Sequence, residues 1–395
     1  MKPTNVHAAW GGTVLVFLVH GLLVSTWISR IPAIKAGLGL NDAELGLALL
    51  STAIGAVGAI PFAGRFVSRY GSRRVTAISS MALCLSLVLP GLAVSLLSLA
   101  AALFAFGATA ASMDVSMNAQ GVEVEKRLGK PTMSRFHGMF SLGAMVGAGV
   151  GGMVAARSIR PAIHFGVSAL VYLVAIIVIA PLLLETHDGV QPEEGAISLK
   201  RIPRALLALS AIGFCILLSE GAMADWTAVY LRQVLNAGSG TAAAGYSVFS
   251  AAMATFRFLG DLITSRLGPA RTVRTGGLVA ACGMIWALSV RSAGWSMPGF
   301  AAAGAGFSVI IPLVFGGGGS VQSISPGAGI ATVTGIGYIG FIVGPPAIGF
   351  VAQIFTLRYA LGLVVVCCII ASLLSGFIGR LQRSSEAPMM TEVQA

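Results

Sequence analysis

The sequence predicts an all-α membrane protein of twelve transmembrane helices, arranged as two pseudo-symmetric six-helix halves. Three observations carry this. The chain is 56% hydrophobic and 10% charged, where a soluble protein carries about 25% charge. Apolar runs long enough to cross a ~30 Å hydrocarbon layer recur from one end to the other. Two glycine triplets also share one spacing, 197 positions apart in a chain of 395 residues. Gly143, Gly147 and Gly152 lie in SLGAMVGAGVGG; Gly340, Gly344 and Gly349 lie in YIGFIVGPPAIG. Halves duplicated in parallel about a shared axis are a carrier architecture, not an enzyme architecture.

The spans are expected at about 9–29, 43–64, 75–93, 96–120, 135–156, 162–184, 205–229, 242–264, 272–291, 296–316, 328–354 and 358–379. The first run is too long for a signal h-region and reads as span 1. The polar stretch 185–204, with Glu185, Asp188, Glu193, Glu194, Lys200 and Arg201, reads as a cytoplasmic linker between halves at 1–184 and 205–380. Residues 381–395 read as a cytoplasmic tail. All but seven of the 25 lysines and arginines fall on one side of such a topology; the seven are Arg30, Lys35, Arg157, Arg160, Arg232, Arg291 and Arg358. Positive residues mark the cytoplasmic side, so both termini are expected inside, in a bacterial inner membrane.

The net charge of +11 does not point to nucleic acid, because the charges sit at the ends of apolar runs. The five cysteines lie inside apolar runs without metal-ligand spacing and read as buried thiols. No G-x-x-x-x-G-K-[ST] or H-E-x-x-H occurs, and Gly316–Gly319 reads as a flexible inner loop. No cofactor, metal or nucleic acid is expected. The expected partners are a small solute, protons and the bilayer, with a monomer as the unit.

The repeat extends beyond the glycines. HGLLVSTW (20–27) in span 1 answers to EGAMADW (220–226) in span 7, and GLALLS from Gly46 answers to GYSVFS from Gly245. Between spans 2 and 3 stands GRFVSRYGSRR (64–74). This resembles the loop signature of the major facilitator superfamily, with Ser68 where the family usually has aspartate and Arg69 at its arginine, which the resemblance implies is a gate or ion-pair residue. GDLITSRLG (260–268) is a looser version, and the glycine runs of spans 5 and 11 are similar to the family's fifth-helix motif. SMDVSMN (112–118) resembles the fucose-permease branch, and DVSMNAQG, EGAMADW and GDLITSRLG together resemble the MosC-like subgroup. The resemblance implies twelve helices, alternating access, a cavity lined by spans 1, 4, 5, 7, 8, 10 and 11, and a sugar, cyclitol or related hydroxylated solute. Proton-driven drug or metabolite efflux is the competing reading; a non-transporting sensor is a further one.

Ionisable groups inside the bilayer cost ~2.5–3.5 kcal/mol on insertion scales, so they face wet cavities or partners. Glu220, near the middle of span 7, is the leading candidate for solute or proton binding. Asp114 and Asn118 share one face of span 4 and suit a hydroxylated solute. His20 occupies the repeat position of Glu220, against the alternative of a packed core histidine. Asp225 points about 140° away from Glu220 and reads as an outer gate or ion pair with Arg30 or Arg232. Arg257 and Asp261, four apart, are expected to pair along span 8. Trp27 and Trp226 suit interfacial anchoring or stacking on a solute ring, and Tyr338 with Tyr246 and Phe249 suits the cavity or the core. The six glycines are expected to let helices approach closely, and Pro345 and Pro346 to bend span 11.

Overall fold

The computed structural model describes residues 5–130, 132–185, 202–321 and 324–378. The expected linker therefore lies largely outside the described residues, and the tail wholly so. Among the described residues the chain is helical, with no strand. The helices are α1 (Val6–Ile28), α2 (Ile31–Leu38), α3 (Asp42–Tyr70), α4 (Ser72–Val88), α5 (Leu96–Leu128), α6 (Met133–Ala156), α7 (Pro161–Ile179), α8 (Arg204–Gln233), α9 (Ser239–Phe258), α10 (Gly260–Leu267), α11 (Pro269–Ser289), α12 (Ala293–Phe307), α13 (Ile310–Gly319), α14 (Pro326–Ile354), α15 (Leu357–Ala360) and α16 (Gly362–Leu374). Ten stretches among these residues are long and apolar enough to cross a membrane. The α9–α10 stretch and α11 are not among them; Arg257, Asp261 and Arg266 dilute the first, Arg271 and Arg274 the second.

Local chemistry sets the element ends. Asn41 and Glu44 form a reciprocal capping box at the start of α3, as Ser95 and Ser98 do for α5. Glu125 Oε2 accepts from the backbone N–H of Thr132 (2.6 Å) and Met133 (2.9 Å), satisfying donors at the start of α6. Gln120 donates to Ser72 Oγ (2.8 Å) and the Leu184 carbonyl (2.7 Å), tying α4, α5 and the end of the α7 stretch. The duplication is visible in the backbone. Gly71, before α4, and Gly268, before α11, stand 197 positions apart and share φ near +80° and ψ near 150°, with φ/ψ of 81/149 and 75/154. That region is essentially closed to residues with a Cβ.

α1 packs on α6, α3 on α5, α8 on α14, and α9 on α12, while α6 against α9 and α3 against α14 join the earlier helices to the later ones. The glycine triplets act alike in both places. A Cβ on Gly143 or Gly147 would strike Leu18, Leu22 or Ser25 of α1; one on Gly340 would stand 2.5 Å from the Phe214 carbonyl of α8, and one on Gly344 3.4 Å from Leu218. The third glycine of each triplet instead meets the other set of helices. Gly152 lies against Gly240 of α9, and Gly349 against Asp42 and Gly46 of α3.

Two local expectations are corrected. Gly316–Gly319 is the end of α13 rather than a loop, because Gly318 and Gly329 let α13 and α14 touch through their backbones. Cys282 is exposed on α11, while the other four thiols are buried; all five are free. α14 runs unbroken through Pro345 and Pro346. The prolines lack N–H groups, so the carbonyls of Phe341 and Ile342 lose their usual intrahelical donors.

Candidate functional site

A cavity of about 370 Å³ lies between α1, α3 and α5 on one side and α8 and α14 on the other. Its ionisable and hydroxyl groups each come from a different helix. His20 projects from α1, Thr52 from α3, Asp114 from α5, Asp225 from α8 and Tyr338 from α14; Trp27 adds an indole from α1. The remaining wall is apolar, with alanine, valine and isoleucine beside Phe106 and Phe341. No arginine or lysine lines it.

Asp114 keeps an accepting surface. Asn118 Nδ2 donates to its backbone carbonyl (2.8 Å) and to Oδ1 (3.2 Å), so Asn118 positions the carboxylate rather than lining the cavity itself. Tyr338 lies within electrostatic reach of Asp114. His20 is 5% exposed and packs on Phe140 at 5.3 Å between ring centroids. Both its ring nitrogens lack a partner, as does the Thr52 hydroxyl. Buried polar groups in native proteins are normally hydrogen-bonded, and those that are not call for water, an ion or a ligand.

Glu220 stands back from this cavity. Its Oε1 pairs with Arg257 Nη2 at 3.7 Å, with both side chains largely buried at 18% and 16% exposure. Arg257 Nη1 donates to Ser141 Oγ of α6 at 2.8 Å. Arg257 also lines a second cavity of about 320 Å³ with His137, Asp261 and Thr264. Glu220 adjoins Gly221, which lines the first cavity, so the ion pair stands between the two spaces.

Several expected roles change. Arg257 does not pair with Asp261, because its guanidinium turns to the more buried Glu220; Asp261 is exposed and lines the second cavity. Asp225 makes no ion pair with Arg30 or Arg232 among the described residues. Arg30 donates instead to the Ile159 carbonyl (2.5 Å) and Arg232 to that of Ala237 (2.7 Å). Arg69 is exposed and lies over its neighbour Tyr70, 5.3 Å from the ring, with no ion pair among the described residues. Trp27 and Trp226 are 3% and 0% exposed, so neither is a surface anchor. Trp27 lines the cavity, whereas Trp226 is core, its Nε1 without a partner. Tyr246 stacks on Phe249 at 5.7 Å rather than lining the cavity. His137 lies near Phe17 and Arg257.

Thr52, Phe341 and Ser141 carry parts of the site that sequence reasoning missed. A hydroxyl or phenyl ring on an apolar helix has no charge to mark it. The available signal was the glycine beside it: a Cβ on Gly107 would strike the Thr52 backbone, and one on Gly221 would meet Phe341 at 3.0 Å.

Comparison with known proteins fits this geometry. The family model of the Major Facilitator Superfamily matches residues 10–318. An uncharacterised MFS-type transporter of Yersinia pestis is 36% identical over 365 residues, covering 89% of this chain and 91% of that one. The membrane protein MosC of Rhizobium meliloti is 29% identical over 374 residues, 94% and 90% of the two chains. Among solved structures, a bacterial homologue of the human lysosomal transporter Spinster, inward-facing and unoccupied, superposes with a TM-score of 0.73 at 16% identity over 96% of this chain and 98% of that one. The nucleoside transporter NupG superposes at 0.74 with 13% identity, over 95% and 100%. These two share the fold. With family match, relatives and fold in agreement, the chain is a multi-pass membrane transporter rather than an enzyme, and it belongs to the Major Facilitator Superfamily.

Proposed function

We propose that the chain is a proton-coupled secondary transporter of twelve spans in a bacterial inner membrane, both termini cytoplasmic, working as a monomer by movement of residues 1–184 against 205–380. The observation that carries this reading is the pair Asp114 and Asp225. They come from opposite sides of one cavity and face it with no cationic side chain beside them. An acid in that setting must meet a proton or a donor on the solute. Glu220 is the coupling group. A proton on Glu220 removes the charge that holds Arg257, and Arg257 is also bonded to Ser141 across the α6–α9 contact. Proton binding thereby loosens the joint between the halves.

The solute on this reading is small and carries hydrogen-bond donors at one end. A sugar or cyclitol engages Asp114, Asp225 and His20 through hydroxyls and stacks on Trp27 or Tyr338. The nucleoside in the name of one fold neighbour belongs to the same hydroxylated class. A second reading, proton-driven export of an amphipathic cation, is favoured by the largely apolar wall and the two acids without counter-charge. Proton flux in proteoliposomes, measured with sugars, cyclitols, nucleosides and lipophilic cations, separates them. Inward proton flux with a hydroxylated solute, lost in Asp114→Asn and uncoupled in Glu220→Gln, supports the first. Outward solute movement against inward protons, with cations alone, supports the second. Solute flux without proton movement in the wild type removes the coupling from both.

A further inference from the structure

α1 and α2 break at Ser29 and Arg30, immediately after Ile28, which lines the central cavity. There the chain opens a separate cavity of about 290 Å³, lined by Arg30, by Arg160 at the start of α7 and by Arg232 near the end of α8. No carboxylate lines it. The nearby Asp42 is held by Lys35, and Asp225 faces the central cavity instead.

Arg30 is 3% exposed. Its Nη2 donates to the Ile159 carbonyl, while its Nε and Nη1 are buried without a partner. A guanidinium with two buried, idle donors is costly unless an acceptor arrives. His164, within electrostatic reach of Arg30, also has a buried and unpartnered Nδ1. The helix starts add to the field. The first turns of α2, α7 and α9 contribute lining residues, among them Pro32, Pro161 and Ser239, and none of the three is capped by a side chain. Each presents the positive end of its helix dipole to the same space, although Pro32 and Pro161 themselves have no N–H to donate.

We propose that this cavity binds an oxyanion, a carboxylate or phosphate group, with Arg30 as its buried cation and donor and Arg160 and Arg232 lining it alongside. Guanidinium groups bind such groups through charge-assisted hydrogen bonds, and the idle Nε and Nη1 of Arg30 are free to donate them. The anion also relieves the mutual repulsion of three arginines contributed by the α1–α2 break, α7 and α8. The site adjoins the Trp27 end of the central cavity, Ile28 lining the one and Ser29 the other.

The test uses the full chain in phosphatidylcholine nanodiscs, titrated with inorganic phosphate and with acetate, and compared with discs containing phosphatidylglycerol. The expected result is saturable binding that weakens by about 2- to 5-fold in Arg160→Gln, the loss of one exposed charge contact, and disappears in Arg30→Gln. Arg160 is exposed, so its variant reports on the site even where Arg30→Gln fails to fold. Arg30-dependent stabilisation by phosphatidylglycerol alone, without a response to free phosphate, supports the proposal with a lipid headgroup as the source. No saturable binding of any probe, or binding unchanged in Arg160→Gln and in Arg30→Lys, overturns it.

Discussion

Along the α6–α9 contact, Ser247 Oγ donates to the Met145 carbonyl at 2.7 Å and Arg257 Nη1 to Ser141 Oγ at 2.8 Å, while Gly152 and Gly240 bring the backbones together at the far end. Along the α3–α14 contact, no side-chain hydrogen bond crosses among the described residues. Its closeness comes from Gly46 and Gly349, where a Cβ would stand 2.8 Å from the Pro345 carbonyl or 2.6 Å from that of Asp42. Farther along the same helices, Gly58 and Gly335 meet nothing within 4 Å. One contact is thus pinned by polar groups along its length; the other is held by shape at one end and open at the other. Hydrogen bonds in an apolar setting fix register, whereas glycine contacts depend on fit alone. On the function proposed above, α6–α9 is the proton-sensitive joint and α3–α14 the one that slides.

Substitutions that break each contact in its own way test this contrast. The largest effect is expected from Gly349→Leu, which overpacks the shape-held contact against backbone that cannot yield. We expect a loss of stability of about 1–3 kcal/mol, read as thermal unfolding in detergent, together with loss of transport; unchanged stability would show that α3 and α14 separate freely. Arg257→Ala leaves Glu220 unpaired and Ser141 without its donor, for about 2 kcal/mol. If Arg257 serves as the proton-sensitive pin, the double variant Arg257→Ala/Glu220→Gln should recover part of that loss; equal instability of single and double variants would count against the pairing. Ser247→Ala removes one hydrogen bond and should cost only about 0.6 kcal/mol, with transport retained. Gly335→Ala, at the open end of α14, should stay within about 0.5 kcal/mol of the parent. A large effect there would mean that this open end closes during the cycle, which cross-linking between α3 and α14 would then detect.

The site was legible to different depths. Asp114, His20 and Tyr338 are on the cavity wall, and each was marked by sequence because a polar group inside an apolar span is conspicuous wherever the span packs. The pairing of Arg257 was not legible. Spacing of four along one helix favours Asp261, but α9 turns the arginine towards Glu220 of α8 and Ser141 of α6. The same limit explains Asp225. Its angular offset from Glu220 was correct as helix geometry, yet it is Asp225 that lines the cavity and Glu220 that withdraws. Trp226 was misread for a related reason: position along a span says nothing of its facing, and this indole turns wholly inward.

By itself the sequence determined the class, the duplication and the places where charge enters the bilayer. These follow from local quantities: the length of an apolar run, the cost of an ion in hydrocarbon, and glycines recurring 197 positions apart. Only the tertiary structure decided which acid faces the solute, which is held by arginine, and which arginines gather without a counter-charge. Membrane helices are apolar on nearly all sides, so their hydrophobic pattern fixes that they are buried but hardly how they are rotated. Rotation is set when small residues on one helix admit the backbone of another, as Gly143 admits α1 and Gly349 admits α3. That choice is made between helices distant in sequence, after each has already formed.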